Sequence, residues 1–218
     1  MTALSRFSTA VELLSARIAS ARRGHTLHPA GMRLDGVITV QDNSLLPTGT
    51  WPVTARLSKA FGTPGGTPDI LGLAICFGSP RSDITLSSCG SGSFTRFLVK
   101  PVRSWRRALL GSIAAYYQQG RYLWLYATIS TDARDASIEA VTARLPIEIT
   151  LACGTSPVKA RRIAVISLDR IAEHLPHVFD PMRHRPADAT MAPGWLYTLR
   201  NAAYRGSRTG RTGAASDD

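Results

Sequence analysis

The feature that most constrains the fold of this chain is a succession of short segments in which apolar and polar side chains alternate. Residues 34–40, 51–59, 121–130 and 147–152 read this way, with Tyr122, Trp124 and Tyr126 marking one face of 121–130; 138–145 and 70–77, the latter an unbroken apolar run, read as strands too. A period of two sends successive side chains to opposite faces of a strand. Residues 161–175 carry a strand or a short helix, and the pattern does not choose between them. The segments are cut apart by 18 glycines and 13 prolines. Many short strands leave unpaired edges unless the sheet closes, so closure into a barrel suits the pattern.

Helical spacing shows in three places. Leu4, Phe7, Val11, Leu14 and Ile18 step by three and four and predict an amphipathic helix over 4–20. Trp105, Leu109, Ile113 and Tyr116 predict another over 102–119, stopped by Gly120. A third covers 199–211, after a stretch that prolines 176, 181, 186 and 193 keep irregular. Residues 212–218 are small and polar and read as a disordered tail, leaving 1–211 as a single domain.

The formal net charge of +11 is almost wholly arginine, since the lysines are Lys59, Lys100 and Lys159. Such a balance suits nucleic acid, an anionic membrane or an acidic ligand. The arginines are spread along the chain, without a Cys2His2 pattern or an aromatic RNA-binding signature, so solvated arginines are expected rather than a nucleic-acid surface. The aromatics of 121–130 read as barrel packing rather than a base-stacking platform. No run of eighteen apolar residues offers a membrane span. The start of the chain lacks the apolar core of a secretory signal. Cys76, Cys89 and Cys153 are odd in number and lack metal-site spacing. They read as reduced thiols, and the expected location is cytoplasmic.

The chemistry concentrates in a few residues. On the last helix Arg200, Tyr204, Ser207 and Arg211 share a face. A guanidinium one turn from a phenol favours the phenolate, a hard anionic ligand suited to ferric iron. Upstream, 22–31 is a loop with His25 and His28, closed by Pro29-Ala30-Gly31 and followed by a strand. Trp51-Pro52-Val53-Thr54-Ala55-Arg56-Leu57-Ser58 leads into a loop of glycine and proline ending Pro68-Asp69, then Gly72-Leu73-Ala74 and Phe77. That loop lacks the Gly-Lys-Ser/Thr ending of a phosphate-binding loop.

In this order the fragments resemble the haem catalases, and the short length resembles the miniature peroxidases related to catalase and to allene oxide synthase. The family has an essential distal histidine before a glycine turn, an arginine on the next strand, a loop ending Pro-Asp, and an Arg-Tyr-Arg pattern on a late helix. The resemblance implies an α+β fold: an antiparallel β-barrel of catalase type with flanking helices and a C-terminal proximal helix. It implies haem b as cofactor, with Tyr204 as the axial iron ligand. Arg200 would lie beside the phenolate, Arg56 and Arg211 at the propionates, and Ser207 and Leu27 in contact with the cofactor. His28, preferred over His25 because of the turn after it, would be the catalytic acid and base. Phe179-Asp180-Pro181 resembles the stretch leading from barrel to proximal helix. One departure matters. Asp83 and residues 97–101 match the family, but its distal asparagine has no counterpart. The asparagines are Asn43 and Asn201, and 87–91 offers only serines, glycine and a thiol. The missing amide disfavours dismutation of hydrogen peroxide, and the small residues there (Ser87, Ser88, Gly90, Ser91) suit a bulky organic hydroperoxide, reduced with an external reductant. A barrel that binds haem or an apolar ligand without catalysis is the alternative, and self-association into a homodimer is left open.

Overall fold

The computed structural model describes residues 30–173, 179–186, 189–195, 197–198 and 201–202. Ten strands run β1 (Ala30–Val40), β2 (Gly49–Lys59), β3 (Leu71–Phe77), β4 (Ser82–Ser88), β5 (Leu110–Gly111), β6 (Ala115–Gln118), β7 (Arg121–Ser130), β8 (Ile147–Gly154), β9 (Arg161–Ile171) and β10 (Thr190–Ala192). Eight of them close a ring in the order β1, β2, β3, β4, β5, β7, β8, β9, with β9 returning to β1. Every pair is antiparallel. The other two lie outside the ring, β6 as a hairpin on the start of β7 and β10 against β6. Gln119 and Gly120 turn that hairpin with positive φ (49° and 78°), the conformation whose twist suits a two-residue connection.

Alternation decides which side chains fill the barrel. Leu34 and Ile38 on β1, Leu57 on β2, Ile75 on β3, Ile84 on β4, Leu125 on β7, Ile149 on β8 and Ile166 on β9 have no exposed surface. Burying one such side chain stabilises the fold by about 1.5–3 kcal/mol. The interior is therefore a packed core rather than a channel, as expected for a ring of eight strands. Trp105 is fully buried in the same cluster, and its indole N–H donates to the Ser137 carbonyl at 3.0 Å.

The barrel closes tightly where β1 meets β9. A bulge shifts the register between Asp35 and Gly36. A Cβ on Gly36 would stand 1.9 Å from the Ser167 carbonyl oxygen, which is backbone and has nowhere to yield. Gly36→Ala is expected to destabilise the protein by about 1–3 kcal/mol, the usual range for overpacking. The check is a shift in the urea midpoint without a change in the slope of the transition.

Two expected elements differ. The helix over 102–119 is not formed: a 3-10 turn (Trp105–Arg107), β5 and β6 occupy that stretch, with Ile113 at a φ of 60°. Closure requires a strand between β4 and β7, and Leu110–Gly111 supplies it, pairing with Ser87–Ser88 on one side and Tyr126–Ala127 on the other. The strand expected over 138–145 is instead a helix, α1 (Ile138–Thr142). Ser137 caps it by accepting from Ala140 N at 3.1 Å, and Asp135 holds Ser137 through its N–H and hydroxyl at 2.8 and 2.7 Å. Residues 161–171 are a strand, which decides the segment left open. Among the described residues α1 is the only complete α-helix. The helices expected over 4–20 and 199–211 lie largely outside the described residues. Gly194, Trp195, Tyr197, Thr198, Asn201 and Ala202 have helical backbone, and Tyr197 N donates to Pro193 O at 3.1 Å.

Candidate functional site

Since the barrel interior is filled, any site must lie on its outer face or at its ends. Arg56 is on the outer face, because Ala55 and Leu57 on either side of it point inward and are fully buried. Register builds the surroundings. Arg33 on β1, Arg56 on β2, Ala74 on β3 and Thr85 on β4 stand directly opposite one another in a row. One step along, a second row runs Gly31, Ser58, Gly72, Ser87 and Gly111 across five strands. Every member of that second row is Gly or Ser. The result is a shelf of small residues with two guanidiniums along one edge; Ser58, Gly72 and Gly111 in it are buried, and Gly31 is exposed.

The guanidinium of Arg56 folds over Gly31: a Cβ there would be 2.8 Å from both Cζ and an Nη of Arg56. Burial pushes the Arg56 pKa down to about 10, and the positive charge of Arg33 adds to the effect. Both causes disfavour the cation, and a bound anion would oppose both. The Arg33 Nε is buried and has no hydrogen-bond partner among the described residues. Asp35, on the same face, accepts from Thr54 Oγ1 at 2.8 Å.

The neighbouring loops are held by buried charges. Asp69, with no exposed surface, accepts from Phe61 N, Thr63 N, Thr63 Oγ1 and Ile70 N at 2.7–3.0 Å. Burial raises its pKa, but those four hydrogen bonds outweigh burial and hold it below the usual carboxylate value. Lys59 donates to the carbonyls of Gly65 and Thr67 at 2.8 and 3.2 Å. The glycine-rich loop thus turns carbonyls to an ammonium and N–H groups to a carboxylate, which is structural and not a phosphate cradle. Asp83 is also fully buried, takes Arg81 bidentately at 2.8 Å, and accepts from Asp180 N at 2.7 Å.

The segment after β3 divides its small residues between roles. Ser87 lies on the shelf. Ser88 alternates to the other face, where its hydroxyl donates to Lys100 O at 2.6 Å and accepts from Leu71 N at 3.0 Å. Gly90 lies under Thr95, whose side chain is 2.3 Å from where a Cβ would be, and Ser91 is exposed. Of the four residues expected to line a pocket, only Ser87 lies on the shelf.

His28, Leu27, Arg200, Tyr204, Ser207 and Arg211 lie outside the described residues, so Arg56 is the one expected site residue whose surroundings are defined. A different tyrosine, Tyr126, follows Gly111 in the second row. Burial pushes its phenol up to about 12, the reverse of what an iron-binding phenolate requires. The thiols are likewise held protonated by burial, at about 12 for Cys76, 11 for Cys89 and 12 for Cys153. Arg33 was not among the expected residues, and nothing in its local sequence sets it apart from a solvated arginine on a strand.

Two guanidiniums side by side, one with a buried N–H that has no acceptor among the described residues, suit a carboxylate. No protein-family model matches the sequence, and no curated protein matches it. In shape the chain is similar to the crystal structure of a fungal catalase, with a TM-score of 0.56 at 12% identity. The match covers 86% of this chain and 59% of that one, so the chain spans well under two thirds of its length. The likeness shows the fold, an eight-stranded antiparallel barrel of catalase type.

Proposed function

We propose that this chain is a haem-dependent peroxidase that reduces organic hydroperoxides to the alcohol and water, with two electrons from a separate reductant. The observation that carries the reading is the position of Arg56: on a barrel of catalase type, it borders a shelf of Gly and Ser on the outer face of β1–β4. Haem bound there would supply an iron at which the O–O bond is cleaved. Tyr204 would bind the iron as a phenolate, and Arg200, one turn away, would keep that oxygen deprotonated. Arg56 and Arg211 would neutralise the propionates, and Ser207 and Leu27 would pack against the ring. His28 would take the proton from one hydroperoxide oxygen and return it to the other as the bond breaks. The flanking and proximal helices belong to this reading: the proximal helix would bring Tyr204, and the loop over 22–31 would bring His28, to opposite sides of the haem.

The test is a titration of the purified protein with haem, followed in the Soret band. Wild type is expected to bind one haem per chain. Tyr204→Phe removes the phenolic oxygen and is expected to lose the wild-type spectrum. An unchanged spectrum in that variant would overturn the ligand assignment. Tight, steeply salt-dependent binding to duplex DNA would instead redirect the arginines to phosphates, since several phosphate contacts cost about 10³-fold in affinity between low and moderate salt.

A further inference from the structure

We propose that Arg33 and Arg56 act together as a two-guanidinium clamp for a single carboxylate on the outer face of β1–β2. The identity of the ligand rests on the haem reading above; the clamp itself rests on geometry. Arg33 and Arg56 are directly opposed in the β1–β2 register, so their side chains leave the sheet side by side on one face. Like charges in that relation are destabilising. The sequence nevertheless places two arginines there, among the outward Gly31, Ser58 and Thr54, with Asp35 one alternate position along β1. The arrangement is also shaped. Gly31 leaves the room that the Arg56 guanidinium occupies, and any larger residue would displace it.

Arg33 adds what a simple repulsive pair would lack. Its Nε is buried, carries a hydrogen and has no acceptor among the described residues. A buried donor without a partner is costly, and one bound carboxylate would satisfy it. A carboxylate matches the planar fork of a guanidinium and can bridge two of them. The neighbouring Asp35 accepts from Thr54 and gives the Arg33 Nε no hydrogen bond. Two sources carry such a group: a propionate of haem, or the carboxylate of an acidic organic hydroperoxide.

The experiment compares wild type, Arg33→Gln and Arg33→Lys as apoproteins titrated with haem and with haem dimethyl ester, whose carboxylates are blocked. If the source is haem, Arg33→Gln weakens haem binding about 10-fold or more, as expected for a lost hydrogen bond between charged groups. The dimethyl ester then binds wild type and Arg33→Gln alike, and Arg33→Lys falls between. If the source is an acidic hydroperoxide, haem binding is unchanged in Arg33→Gln, but the haem-loaded variant shows a raised KM for a carboxylated hydroperoxide and not for its methyl ester. Thermal melting of the apoproteins supplies a second readout. Removing one of two repelling charges leaves the apoprotein Tm unchanged or higher, whereas a purely structural Arg33 would lower it. A lowered Tm, or unchanged haem affinity together with unchanged KM, overturns the clamp. Should wild type take up no haem, the haem reading fails, and the clamp is then judged by a dicarboxylate. Succinate raising the Tm of wild type but not of Arg33→Gln supports it, and equal response overturns it.

Discussion

His28→Ala is expected to reduce peroxidation of a dye with an alkyl hydroperoxide by about 10²–10⁴-fold, the usual worth of a positioned acid and base. Haem uptake should be unchanged, because the imidazole is assigned to the proton and not to the iron. The two readouts separate the enzymatic reading from that of a non-catalytic haem carrier: a carrier would lose nothing. The substrate preference follows from what stands near Arg56. Ser87 is the only hydroxyl of the 87–91 segment on the shelf, and the segment has no amide to orient a second small peroxide. Wild type should therefore oxidise the dye with an alkyl hydroperoxide yet release little oxygen from hydrogen peroxide. Vigorous oxygen release would contradict this substrate assignment, and a fully active His28→Ala would remove the histidine from the mechanism.

The largest stability effect is expected at Asp83. Its carboxylate has no exposed surface, accepts both arms of Arg81 and holds Asp180 N, 97 residues further along the chain. Asp180 in turn accepts from Met182 N and Arg183 N at 3.1 and 3.3 Å. Asp83→Ala leaves a partly buried guanidinium and a buried N–H without their acceptor. Removing one partner of a buried ion pair costs about 3–5 kcal/mol, and the partial exposure of Arg81 argues for the lower end. Chemical denaturation should show that loss. Hydrogen exchange should also quicken at Met182 and Arg183 more than in β7–β9, because the substitution unpins 179–186 from β4 as well as destabilising the whole.

The strands that read clearly from sequence are those with steady alternation or, at 70–77, an unbroken apolar run. Segments 51–59, 70–77, 121–130 and 147–152 agree with β2, β3, β7 and β8 to within two residues at each end. Where the reading failed, a local pattern was overridden or missed. Trp105, Leu109, Ile113 and Tyr116 have helical spacing, yet the two residues Leu110–Gly111 were needed to join β4 to β7, a requirement invisible in any local window. Over 138–145 the cap was legible but unread: Asp135 and Ser137 precede Ile138 and Val141, the apolar pair that α1 buries. At the site, Arg56 was readable because it sits in a motif. The shelf was not, since Gly31 and Gly111 come together only through the register of five strands.

The pairing of β1 with β9 has a consequence for how the molecule is made. It joins Leu34 to Ile171, so one side of β1 has no partner until nearly the whole barrel has left the ribosome. At roughly 5–20 residues per second, that wait is on the order of ten seconds. During it β1 offers a row of free backbone groups and a half-exposed Val37 to any passing strand. Contacts so distant in sequence also make closure slow once the chain is complete. Co-expression of a chaperone that covers extended edges is therefore expected to raise the soluble yield of this protein, read as the soluble fraction on a gel.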